Sequence, residues 1–185
     1  MERANTKQLI GDIEKQRGHA RKALGVYWFP LVVFGGIALF GALVTATNAP
    51  LVLFALWIAA WPSGMVATAI YYARRAHSIG LSATPLPFIV TGLCLGIGAG
   101  LLGWLGRDTT LRSAGPLLVI GAGYLVFAWL QRSLLAGALA LTLVGAAIFF
   151  FAVRPPHAGS LSLAFFGLAS LVVGAWNLRQ SSSAE

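Results

Sequence analysis

Residues 23–73 read ALGVYWFPLVVFGGIALFGALVTATNAPLVLFALWIAAWPSGMVATAIYYA, without one Lys, Arg, Asp or Glu. A helix on a water-soluble domain shows charge on its outer face, whereas a bilayer centre rejects a charged side chain by about 2.5–3.5 kcal/mol. A run of this length therefore belongs in lipid. About 20 apolar residues make one crossing, and the turn-forming Asn48-Ala49-Pro50 lies near the middle of the run. The stretch thus folds back on itself as two antiparallel spans, at about 27–47 and 51–72.

Four more charge-free stretches follow, at 76–106, 113–131, 133–153 and 155–178. Each holds one span, at about 86–105, 115–131, 134–152 and 159–177. The expected fold is all-α: a polytopic membrane protein of six transmembrane helices. Of the 185 residues, 58% are hydrophobic and 10% charged, well outside the range of soluble domains. Proline marks several entries. Pro30 falls in the first turn of span 1 and Pro116 in that of span 4, where a missing N–H costs little, while Pro85 and Pro87 precede or open span 3. The short link at Gln131-Arg132-Ser133 makes spans 4 and 5 adjacent and antiparallel, and leaves span 4 barely long enough to cross.

Three parts result: a basic segment over 1–25, the membrane domain over 26–178, and a polar tail over 179–185 that is expected to be disordered. In the first part, Asn5 and Thr6 can cap a helix over 5–23, with Gln8 in capping-box register. Leu9, Ile13, Ala20 and Leu24 share one face, while Glu14, Lys15, Arg17, Arg21 and Lys22 cover the rest. This describes an amphipathic helix on the cytoplasmic membrane surface, or a short helix projecting to a partner. The basic start and Val44-Thr45-Ala46 also imitate a secretory leader, but the apolar run between them exceeds the 7–15 residues of such leaders, so it is expected to remain as span 1.

Thirteen Lys and Arg against five Asp and Glu give a net charge of +8. Arg3, Lys7, Lys15, Arg17, Arg21, Lys22, Arg74, Arg75, Arg132 and Arg179 fall on one side of the alternation, and only Arg107, Arg112 and Arg154 on the other. The positive-inside rule places both termini in the cytoplasm. Membrane insertion accounts for this charge, so nucleic acid is not an expected partner; the lipid bilayer is. The lone Cys94 excludes an intramolecular disulfide.

Spans 2, 4 and 6 end alike: Tyr71, Trp129 and Trp176 each precede an Arg (Arg74, Arg132, Arg179) by three residues. Either one two-helix hairpin was triplicated, or aromatic residues and Arg simply recur at the interface.

Two places stand out as candidate sites. Gly92, Gly96 and Gly100 recur every fourth residue in span 3, making a groove for close helix packing within the monomer, or against a second copy or a membrane partner. In span 2, Trp57 and Trp61 lie one turn apart beside Pro62, Ser63, Gly64 and Thr68. A proline kink flanked by two indoles, a hydroxyl and a glycine could line a pocket for an apolar or cationic ligand, or be a kink filled by large side chains. Trp61-Pro62-Ser63-Gly64 falls short of the Gly-x-Ser-Gly pattern of rhomboid proteases, because Trp61 replaces the first Gly and no span holds a His to serve as base.

No Asp, Glu, Lys, Arg or His lies inside a span, which argues against proton- or ion-coupled pumping. Three scattered His and one Cys make no usual metal or haem site, and no phosphate-binding glycine loop is present. Catalytic residues, metal and cofactor are therefore all expected to be none.

The opening Gln8-Leu9-Ile10-Gly11-Asp12-Ile13-Glu14-Lys15-Gln16-Arg17, with Ala20-Arg21-Lys22 and an aromatic-Pro entry to span 1, resembles the small uncharacterised multi-pass membrane proteins of high-GC Gram-positive bacteria. The resemblance implies a bacterial plasma membrane and no particular activity. The leading expectation is a non-enzymatic structural, accessory or regulatory membrane subunit. The alternative is a small facilitator or exporter of an apolar or weakly cationic solute.

Overall fold

The computed structural model describes residues 28–47, 50–78, 86–106, 108–131 and 133–182. The surface helix expected over 5–23 and the turn at 48–49 lie outside the described residues. Those described form six α-helices: α1 (Trp28–Ala46), α2 (Pro50–Ser78), α3 (Leu86–Leu105), α4 (Thr109–Gln131), α5 (Leu134–Val153) and α6 (Ala158–Ser182). Five of them, all but α3, are long and apolar enough to cross a membrane; the apolar part of α3 is shorter, at Ile89–Gly103. The protein is thus an all-helical, multi-pass membrane protein.

Three helices run further than hydropathy alone suggests. α2 continues past Arg74 and Arg75 to Ser78, and Ala76 in this extension is buried. α6 continues through Arg179 to Ser182. Charge ends a span but not a helix, since these side chains need only reach the interface. α4 begins at Thr109, so Pro116 is interior rather than in the first turn, and the helix has 23 residues, enough to cross. Local capping explains the earlier start. The Asp108 carboxylate accepts from the Thr110 N–H at 3.3 Å, and the Asp108 carbonyl accepts from the Arg112 N–H at 3.1 Å. Arg112 meanwhile folds back so that its Nε donates to the Gly106 carbonyl, closing the C-terminus of α3. The turn between α3 and α4 thus caps both helices.

The short α4–α5 link works as its length requires. Ser133 caps α5 by accepting from the Ala136 N–H at 3.3 Å. At the other end of α5, Arg154 takes a left-handed conformation (φ 47°) and returns its N–H to the Phe150 carbonyl.

Consecutive helices neighbour one another and α6 returns to α1, so the six close into a ring, with α4 also touching α6 across it. The seams differ in extent: α1–α6 and α4–α5 are the broadest, and α2–α3 is the sparsest. The α1–α6 seam is broad because small residues let the backbones meet. A Cβ added at Gly35 would lie 3.0 Å from the Gly167 carbonyl oxygen, and one at Gly167 would lie 2.8 Å from that of Gly35. At α4–α5, Gly121 faces Leu143 and Val144, beside the fully buried Ala140 and Ala147.

The core follows these seams. Leu31 and Ala38 of α1, Leu117 and Ile120 of α4, Leu139, Leu143 and Ala147 of α5, and Phe166 of α6 form its continuous centre. Large apolar residues such as Leu51, Phe54, Ile58, Leu141, Ile148 and Val172 point outward. In water such a surface would aggregate, whereas in a bilayer it is the lipid-facing coat.

Candidate ligand cavity

Inside the ring lies an apolar cavity of about 130 Å³ to which every helix contributes. Its wall includes Leu31 and Phe34 from α1, Trp61 and Met65 from α2, Gly92 and Leu95 from α3, and Ile120, Tyr124 and Phe127 from α4. Ala136 and Leu139 of α5, with Phe166 and Val173 of α6, complete it. One end reaches Pro30, Ser133 and Asn177, where α1 and α5 begin and α6 nears its end. No residue of this wall is charged.

α2 supplies the most unusual part of the wall. Trp61 packs on Phe34 with ring centroids 4.7 Å apart, and on Trp57 at 5.7 Å. Its indole rests on α3 at Gly96, where an added Cβ would overlap Nε1. Met65 sits one turn on, against Gly92, where an added Cβ would overlap its thioether. Two large side chains of α2 are thus seated in two glycine slots of α3, and this bridges the sparsest seam of the ring. The Trp61 Nε1–H is buried and meets no hydrogen-bond acceptor. A buried donor left this way costs about 1–3 kcal/mol, so such groups are rare and call for an explanation.

The residues singled out from sequence are therefore divided. Trp61 is on the cavity wall, with Trp57 beside it. Thr68 points inward and is fully buried, but its hydroxyl donates to the Gly64 carbonyl at 2.7 Å within its own helix. Ser63 faces outward with Pro62, and its hydroxyl donates to the Ala59 carbonyl at 2.7 Å. A helix turns about 100° per residue, so Trp61 and Ser63 diverge by more than half a turn. α2 stays helical from Pro50 to Ser78 through Pro62. In α3, Gly92 and Gly96 receive side chains of the same molecule, whereas Gly100 meets nothing within 4 Å. Cys94 is exposed.

Met65, Phe34, Tyr124, Leu139 and Phe166 completed the cavity unannounced, because nothing in a charge-free helix marks which apolar face turns inward. The Gly35–Gly167 contact was also not anticipated. Its trace in the sequence is the small-residue row Gly167, Ser170 and Gly174 at helical spacing, which does line the face of α6 that meets α1.

Near Pro30 an aromatic cluster joins α1 to α2. Phe29 stacks on Tyr71 (4.3 Å, interplanar 10°), and Trp28 and Tyr72 meet Tyr71 edge-on. Arg75 Nη1 donates to the Tyr71 hydroxyl at 3.1 Å. Trp129 and Trp176, which share a sequence position with Tyr71, are instead 79% and 57% exposed, as belt residues are. Together with the unequal seams, this shows that the three hairpins are not packed equivalently. Among the described residues, no three His, Cys, Asp or Glu side chains gather where a metal could be held. No protein family, curated protein or solved structure matches this chain.

Proposed function

We propose that this chain is a six-span protein of the bacterial plasma membrane, with both termini in the cytoplasm, that holds a small apolar solute inside its helix bundle and acts without catalysis, as a facilitator or exporter. The observation that carries this reading is the uncharged cavity lined from all six helices and reaching Trp61. Pockets for small molecules are mostly apolar, lie between the helices of bundles, and hold few polar groups. The interior volume is close to the roughly 150 Å³ of a dry protein cavity known to take benzene. The 10-to-3 division of Lys and Arg supports the topology, and the end of the cavity at Pro30, Ser133 and Asn177 would then face the cytoplasm.

Photoaffinity labelling tests the binding. A small diazirine-bearing hydrocarbon is expected to label Leu31, Ile120 or Leu139, in competition with benzene. Labelling confined to outward residues such as Leu93 and Ile97, unaffected by benzene, would sink the proposal. An impermeant maleimide tests the topology on intact cells, in a Cys94→Ser background. It is expected to label a cysteine placed at Arg112 and not one placed at Ser182.

A second reading, a structural, accessory or regulatory subunit docking through span 3, draws on the open space outside Gly100 and the exposed Leu93, Ile97 and Leu101 around it. Crosslinking in cells from a cysteine at Gly100 to a second copy or a discrete partner would favour it. Its absence would remove it.

A further inference from the structure

We propose that the solute held in the cavity is a neutral, single-ring or short-chain molecule carrying one hydrogen-bond acceptor, and that the acceptor is taken by the indole N–H of Trp61. This rests on the cavity being a ligand site and specifies its chemistry.

Three observations carry it. First, the wall has no charged side chain, so an ion entering it would lose its hydration without a counter-charge. The faces of Trp61, Phe34 and Tyr124 do not by themselves offset that loss, which narrows the ligand from apolar-or-cationic to neutral. Second, the volume of about 130 Å³ matches about one six-membered ring. Third, Trp61 lines this cavity and its Nε1, resting on Gly96 of α3, is buried without an acceptor. Ser170 Oγ on α6 is likewise buried without a partner, but Ser170 is not part of the cavity wall, while Thr68 and Ser63 donate to the Gly64 and Ala59 carbonyls and Ser133 accepts from the Ala136 N–H. Indole nitrogen is a donor only. A helix carbonyl has a second lone pair, as the bonds from Thr68 and Ser63 show, but none accepts from this N–H. An acceptor brought by the ligand removes the penalty, whereas a hydrocarbon leaves it in place.

The structure also indicates how the indole would adapt. Its seat is a glycine slot on the sparsest seam, where small movements of α2 against α3 disturb few other contacts. The N–H can therefore swing toward an acceptor without unpacking the α1, α4, α5 and α6 core.

Nitrogen-15 NMR of the full chain in lipid nanodiscs, labelled at Trp, tests this with two probes of matched shape: cyclohexanone and methylcyclohexane. The Trp61 indole signal is identified as the one lost in Trp61→Phe. Cyclohexanone is expected to move that signal downfield, as a new hydrogen bond does, and to bind about tenfold more tightly than methylcyclohexane. Trp61→Phe is expected to bring the two probes to about equal affinity. The affinity ratio in the unaltered protein is informative even if that variant does not fold. If both probes perturb the methyl signals of Ile120 and Leu139 equally and the indole signal does not move, the cavity binds but the assignment to Trp61 is overturned. If neither probe perturbs those methyls, the cavity reading falls and this inference with it.

Discussion

Two seams of the bundle use glycine in opposite ways. At α1–α6, Gly35 and Gly167 let one backbone rest on another, each facing the other's carbonyl oxygen. At α2–α3, Gly92 and Gly96 are slots filled by the ends of Met65 and Trp61. The first arrangement leaves nothing that can yield, because main-chain atoms are fixed by their own helices. The second can yield, because a thioether has three rotatable bonds and an indole two. The same residue type thus makes a lock on one side of the ring and a hinge-like closure on the other. The cavity lies between them, so its rigid wall is α1, α4, α5 and α6, and its adjustable wall is α2 against α3.

A graded series of Gly→Ala substitutions would break or sharpen this contrast, read as unfolding free energy in mixed micelles. Gly167→Ala should be the most damaging, since its Cβ meets the Gly35 carbonyl at 2.8 Å and backbones must separate; a loss of about 3 kcal/mol is expected. Gly96→Ala should cost about 1 kcal/mol, because the indole is displaced while the helices stay. It should also change the fluorescence of Trp61, by comparison with Trp61→Phe. Gly92→Ala should cost less than about 1 kcal/mol, because Met65 can turn away. Gly100→Ala meets open space and should be neutral, or stabilising by up to about 1 kcal/mol through helix propensity. Equal losses at Gly167 and Gly96 would erase the distinction between the seams. A large loss at Gly100, together with loss of an oligomer, would move the weight to the accessory-subunit reading.

What could be read from the sequence followed from the solvent. Charge-free runs located all six helices, since lipid excludes charge whatever the tertiary arrangement. Helix ends were less legible, because Arg74, Arg75 and Arg179 reach the interface without ending a helix, and because Asp108 starts α4 well before its apolar part. The site was half legible. Trp61 was visible as a large aromatic one turn from another. Ser63 was not separable from it by type, and only rotation about the axis of α2 sends it outward. The glycine row of span 3 showed a groove but not its occupant, because a soft slot for Met65 or Trp61 and a hard backbone contact have the same spacing. In a span that is apolar on every side, periodicity no longer distinguishes the inner face from the outer.

Xenon binding tests the central claim, an apolar cavity lined by all six helices, most directly. Xenon-129 NMR would be run on the unaltered protein and on Ala136→Phe, a substitution that fills the cavity from α5, in identical nanodiscs. The account predicts a saturable bound-xenon component in the unaltered protein that Ala136→Phe abolishes. Identical uptake by both, equal to that of protein-free lipid, would contradict it.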